Sequence, residues 1–319
     1  MNPKIQSLPT CALKPAEHSV QFRNFALATG LLILGFAIPL WQLIRFALSS
    51  ELYSFILLIP VISLYLVWTK REKLSPVPLF DQGLTAGFLT AGVVVLLAYW
   101  LVLRSRLKGM EDEYLAVMVI AFLLLFLGVC GRFLGRSFLR ANIFPLSFLF
   151  FMVPIPVVAV SRIDAFLQSG SAIVASGFFT VAGTSYLQDG LVFQLPDITI
   201  KIAPECSGIH SSLILLVTSL LAAYFFLRTP WKRAVFILAV VPLGILRNGF
   251  RVFTIGELCV HIGPRMIDSP IHHKGGPIFF LLSLIPLFIL LVVLQKSERR
   301  RANLNSEIRN PEKPETIHV

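Results

Sequence analysis

Apolar runs of about 20 residues recur along this chain from end to end, and nothing constrains its fold more. About 20 apolar residues in a helix cross the hydrocarbon core of a bilayer. Eight such runs stand at 25–46, 52–69, 83–103, 115–135, 139–161, 207–227, 232–255 and 277–295. Only 14% of the 319 residues are charged, against about 25% in soluble domains. The fold class is all-α and polytopic: about eight transmembrane helices, with little chain left for a separate soluble domain.

The ends and loops carry the charge. Residues 1–24 are polar, hold Pro3, Pro9 and Pro15, and lack the apolar core of a signal peptide. They read as a cytoplasmic tail ahead of an uncleaved first span. Residues 25–296 form a single multi-span domain, and 297–319, rich in charge, read as a disordered cytoplasmic tail. With the N-terminus inside, the inside segments hold 18 of the 28 Lys and Arg, the outside segments nine, and Arg247 lies within a span. That is the positive-inside bias. The net charge of +11 is thus a topology signal, and nucleic acid is not a partner.

The longest outside segment is 162–206. Its first part has helical apolar periodicity diluted by Ser and Gly, which predicts an interfacial or re-entrant helix. Then LVFQL and ITIKI alternate around Pro196-Asp197, a β-hairpin pattern. The hairpin leads directly to Cys206 at the start of the sixth span.

Chemistry-capable residues gather at three places on that side: Glu205, Cys206, Ser207, Gly208 and His210; Arg247, Asn248 and Arg251; and His272, His273 and Lys274. Pro204 and Gly208 mark a break followed by a helix start. A helix N-terminus and a nearby cation lower a thiol pKa, although a small buried hydrophobe is the commoner fate of a single cysteine. Arg247 and Arg251 are four apart on one helix face, with Asn248 beside them. Lipid-facing charge costs roughly 2.5–3.5 kcal/mol, so this face turns into the bundle and seeks an anion.

His272 and His273 sit in a loop before Gly275-Gly276, where a histidine serves as a general base. His210 is a rival base one turn from Cys206, and His261 a weaker one. No compact zinc spacing such as HExxH is present, so no metal or other cofactor is called for. A Cys206–Cys259 disulfide would remove the nucleophile and ranks below the free thiol.

Together the three segments resemble the exosortase/archaeosortase family. Pro204, Cys206, Ser207 and Gly208 match its P-x-C-S-G pattern, Asn248 and Arg251 its N-x-x-R, and His272, with Gly276 and Phe280 after it, its histidine motif. The doubled histidine leaves His273 as an alternative. The resemblance implies a cysteine transpeptidase in a bacterial inner membrane, with both termini cytoplasmic and the active site facing the periplasm. Its implied partners are membrane lipid and proteins ending in a PEP-CTERM-type motif, a transmembrane helix and an Arg-rich tail. It implies Cys206 as nucleophile, Arg251 as thiolate or oxyanion stabiliser and His272 as general acid/base, with Ser207, Gly208, Asn248 and Arg247 in support. The competing reading is a non-enzymatic transporter or exopolysaccharide-export component that binds an anionic lipid-linked ligand.

Overall fold

A computed structural model describes residues 15–70, 81–106, 110–196, 198–202, 208–268 and 276–309. Seven of its helices are long and apolar enough to cross a membrane, and a bent pair brings the number to eight. The chain divides into two compact units, Met1–Ala159 and Val160–Val319.

The first unit begins with the bent pair, α1 (Pro15–Gly35) and α2 (Ala37–Ser49), set at 68°. Pro39 explains the bend: it offers no amide to the carbonyl of Gly35 and its ring clashes there. A 3₁₀ segment, Glu51–Leu57, leads into α3 (Leu58–Lys70), and α4 (Gln82–Ala98) follows. The Asp81 side chain caps α4 by accepting from the Leu84 amide at 3.1 Å, and it pairs with Arg136 at 2.9 Å.

Helix α5 (Glu111–Ala141) packs along α4 through glycines. A Cβ at Gly92 would stand 2.7 Å from Leu125 Cγ, one at Gly128 2.5 Å from Leu89 Cδ2, and one at Gly131 2.9 Å from Thr85 Oγ1. Absent side chains let the two backbones close, which is how apolar helices gain dispersion energy where lipid is as apolar as the protein. Gly135, at φ 81° and ψ 172°, breaks the regular helix, in a region open only to glycine. The fourth apolar run, 115–135, ends at this residue.

The fifth run, 139–161, is not one helix. It holds α6 (Ile143–Phe148), a 3₁₀ turn to Met152, and an irregular link. Pro154 forces Val153 into an extended conformation (φ −74°, ψ 119°), and Pro156 withholds another amide. The helix restarts as α7 (Val157–Ala182), 26 residues long and apolar enough to cross. The stretch expected to form a separate interfacial helix is therefore the body of the fifth candidate span. Its Ser and Gly are contact residues: Ser171 and Ala175 are buried, and a Cβ at Gly170 would meet Ile245 Cδ1 at 3.0 Å.

The second unit continues with a three-stranded antiparallel sheet, β1 (Leu187–Asp189), β2 (Val192–Leu195) and β3 (Ile198–Lys201). The β2–β3 pair, in register Leu195↔Ile198 and Val192↔Lys201, is the hairpin read around Pro196-Asp197. Strand β1 adds a third strand to the expected hairpin, turned at Asp189-Gly190, a strong hairpin signal before an alternating run; Gly190 has φ 58°. Phe193, Leu195 and Ile200 face a core shared with Ala172, Phe179 and Val252.

Next come α8 (Ile209–Phe226), α9 (Pro230–Leu238), α10 (Val240–His261) and α11 (Gly276–Arg309). Pro242 gives no amide to the Leu238 carbonyl, yet α9 and α10 together form one candidate span, Pro230–His261. Helix α11 extends well past 295, into the stretch read as a disordered tail. Its Glu, Arg, Ala and Leu sustain a helix begun in the span. At the turn before α9, Glu298 accepts from the amides of Arg228 (3.1 Å) and Thr229 (2.8 Å), and buried Lys232 donates to the Leu294 carbonyl at 3.2 Å.

Candidate functional site

Helix α10 carries the Arg/Asn face, and glycines set how near that face lies to its neighbours. A Cβ at Gly244 would sit 2.9 Å from Ser212 Oγ on α8, one at Gly249 2.6 Å from Val174 Cγ1 on α7, and one at Gly256 2.5 Å from Phe179 Cζ. Small residues at 244, 249 and 256 thus bring α10 against both α7 and α8. The glycine spacing along α10 is legible in the sequence.

Arg247 is 7% exposed. Its Nη2 donates to the Gly208 carbonyl and to Ser212 Oγ, each at 3.2 Å. Asn248, 2% exposed, donates from Nδ2 to Ser171 Oγ at 3.1 Å. Both side chains thus turn into the protein, as the cost of lipid-facing polarity requires. Arg251 follows one turn later on the same face, half-buried.

Gly208 is the pivot. It caps α8 in the left-handed region, at φ 74° and ψ 16°. Its carbonyl accepts the first helical amide, from Ser212 at 2.9 Å, and the Ser211 hydroxyl at 3.2 Å, besides Arg247. A Cβ there would lie 3.1 Å from Arg247 Nη2 and 3.4 Å from Asn248 Oδ1. Glycine is required twice, by the backbone angle and by the close approach of α10. His210 stands half-buried in the first turn of α8.

Cys206, Glu205 and Ser207, and likewise His272, His273 and Lys274, lie outside the described residues. The structure therefore brings together Gly208, Arg247 and Asn248 from the predicted set and adds Ser212 and Ser171, which sequence reading passed over. Ser and Thr abound in such chains, so only a tertiary contact singles these two out. Cys259, the candidate disulfide partner, is a buried free thiol.

His261 ends α10 in a different setting. Its Nε2 lies 2.9 Å from Glu257 Oε2, and its side chain is 72% exposed. Glu257 also accepts a hydrogen bond from Thr184, just ahead of the sheet. Tyr186 fixes the same junction, its hydroxyl 2.7 Å from Ser176 Oγ and 2.9 Å from Thr180 Oγ1 on α7. These contacts tie the sheet to α7 and α10, and give His261 a structural partner.

The architecture defines a multi-pass membrane protein with a buried Arg/Asn face against a helix start. A family model described as transmembrane exosortase matches residues 45–289, and the chain belongs to that family. All three motif segments lie within the match. Neither curated proteins nor solved structures gave a match.

Proposed function

We propose that this chain is a membrane-embedded cysteine transpeptidase that cleaves a C-terminal sorting signal from secreted proteins. One observation carries the reading: the buried guanidinium of Arg247 bonds the carbonyl of Gly208, two residues along the chain from Cys206. A cation at a helix N-terminus is the environment that turns a thiol into a thiolate.

Cys206 Sγ adds to the carbonyl carbon of the scissile peptide, and the C–N bond breaks to leave a thioester. His272 delivers a proton to the departing amine and later takes one from the incoming nucleophile. His273 and then His210 are the alternatives for that role. Arg251 stabilises the thiolate or the oxyanion, Arg247 holds Gly208 at the start of α8, and Asn248 supports that helix face by its bond to Ser171 of α7. The substrates are proteins with a PEP-CTERM-like motif, an apolar helix and an Arg-rich tail. The enzyme resides in a bacterial inner membrane, with both termini cytoplasmic and the site toward the periplasm. Placing the fifth span at Val157–Ala182 moves Arg162 to its cytoplasmic end, which sharpens the charge bias to 19 against eight.

The test is co-expression with such a substrate. Cys206→Ala, Arg251→Ala and His272→Ala should each abolish processing while the protein still inserts. Losing one oxyanion donor costs roughly 10²–10³ in rate. Normal processing by Cys206→Ala would overturn the reading and favour a transporter that binds an anionic lipid-linked ligand.

A further inference from the structure

The sheet of the second unit, in the order β1-β2-β3, has two edges, and they are not alike. The Ile202 amide donates to the Leu191 carbonyl at 3.0 Å, one register step beyond Val192↔Lys201. Bonded and non-bonded pairs alternate along an antiparallel ladder. Phe193–Ile200 and Leu195–Ile198 are therefore the bonded pairs, and Val192–Lys201 and Gln194–Thr199 are not. The N–H and C=O groups of Thr199 and Lys201 thus point away from β2, toward the open side of β3. Among the described residues, no hydrogen bond to another element takes them up, and both residues are exposed. By the same alternation the outer edge of β1 presents Gln188 alone, and that side chain folds back to donate to the Gly190 carbonyl at 3.0 Å.

The open groups of β3 select their partner by spacing. Two donor–acceptor sets, two residues apart, repeat at about 6.8 Å. An extended peptide repeats its own groups at that interval, and a lipid headgroup does not. A second copy of this chain would bring another Lys201 to the same short ribbon. Like charges across a strand pair are destabilising, and lysine at an edge is a device against such self-pairing. A peptide with a carboxylate opposite Lys201 has the reverse preference.

Position selects which peptide. Cys206 follows Lys201 by five residues, and at no more than about 3.6 Å per residue it stands within about 18 Å. A strand of five or six residues covers that distance, so a peptide paired with β3 reaches the nucleophile along its own length. The edge is also firmly held. Phe193, Leu195 and Ile200 are buried in the core shared with α7 and α10, and Thr184 bonds Glu257 of α10.

We infer that the open edge of β3 holds the substrate in extended form, through main-chain pairing with Thr199 and Lys201, and that an acidic side chain of the substrate lies beside Lys201. The inference rests on the transpeptidase reading above and adds how the peptide is gripped and chosen.

The experiment uses the full-length membrane protein and a co-expressed reporter ending in a sorting motif with one glutamate, about 20 apolar residues and an Arg-rich tail. Thr199→Pro removes an outward amide and no bond to β2, and Ile198 before it is already extended. Processing, followed by pulse-chase, should slow about fivefold, the loss of one hydrogen bond. Gln188→Pro, the same change on the β1 edge, should leave it unchanged. Lys201→Glu alters no backbone group and should slow processing of the same reporter. A reporter with lysine in place of the glutamate should be processed faster by Lys201→Glu than by the parent. Maleimide alkylation of Cys206 should match the parent in all three variants. A photoreactive benzoylphenylalanine replacing Thr199 should crosslink to the reporter ahead of its anchor. Unchanged processing by Thr199→Pro, absence of the charge swap, or crosslinks to a second copy only would each overturn the inference while Cys206→Ala still blocks processing. Normal processing by Cys206→Ala would instead remove the reading beneath it.

Discussion

Arg247 reaches across 39 residues of sequence to bond the carbonyl of Gly208 at 3.2 Å, and the same nitrogen bonds Ser212 Oγ at 3.2 Å. The contact joins the middle of α10 to the cap of α8. It fixes the end of the chain segment that carries Cys206.

Replacing Arg247 should therefore be costly in a graded way. Arg247→Ala removes two charge-assisted bonds, and a bond to a charged group contributes about 1.5–3 kcal/mol. Thermal unfolding in detergent should fall, and maleimide labelling of Cys206 should change in rate. Arg247→Lys keeps the charge but not the planar fork, and should recover only part of either signal. A wild-type labelling rate in Arg247→Ala would separate this residue from the Cys206 turn.

Gly208→Ala meets two penalties. The left-handed backbone costs an L-residue roughly 1–2 kcal/mol, and the new Cβ would stand 3.1 Å from Arg247 Nη2. Processing should drop while helix content by circular dichroism stays unchanged. Pairing it with Arg247→Ala should give less than the sum of the two losses, because one contact is broken twice.

In the first unit, Gly128→Ala would place a Cβ 2.5 Å from Leu89 Cδ2 and 3.2 Å from the Leu89 amide nitrogen. Overpacking of this kind costs about 1–3 kcal/mol. The melting temperature in detergent should fall, and Leu89→Ala in the same chain should restore part of it. Equal melting of Gly128→Ala and the parent would show that α4 and α5 are not held at this distance.

At the sheet, Glu257→Ala frees both Thr184 and His261. His261 is largely exposed, so its ion pair contributes at most about 1 kcal/mol, and His261→Ala should be nearly silent. Glu257→Ala should speed proteolytic nicking around 183–191, which a time course of limited digestion would detect. Equal rates for the two variants would put the junction's stability elsewhere, on Tyr186 and its two hydroxyl contacts.

The sequence by itself determined the class of fold, because transfer of apolar side chains out of water is a local quantity that can be summed along the chain. It determined the hairpin at Pro196-Asp197, where alternation and turn chemistry agree, and the inward turn of the Arg247, Asn248 and Arg251 face, because lipid cannot solvate it. The family pattern was legible from the same residues. Tertiary structure alone decided that α7 begins at Val157. Hydropathy is continuous through 139–161, and it is Pro154 and Pro156 that move the helix onto a stretch whose Ser and Gly look polar until they are packed. It alone decided the partners of the buried polar groups: Ser171 for Asn248, 77 residues away, and Gly208 for Arg247. Such pairs form only when glycines at 244, 249 and 256 let three helices close. Which oxygen then lies within 3.2 Å of a guanidinium is a property of that packing, to which spacing along the chain is blind.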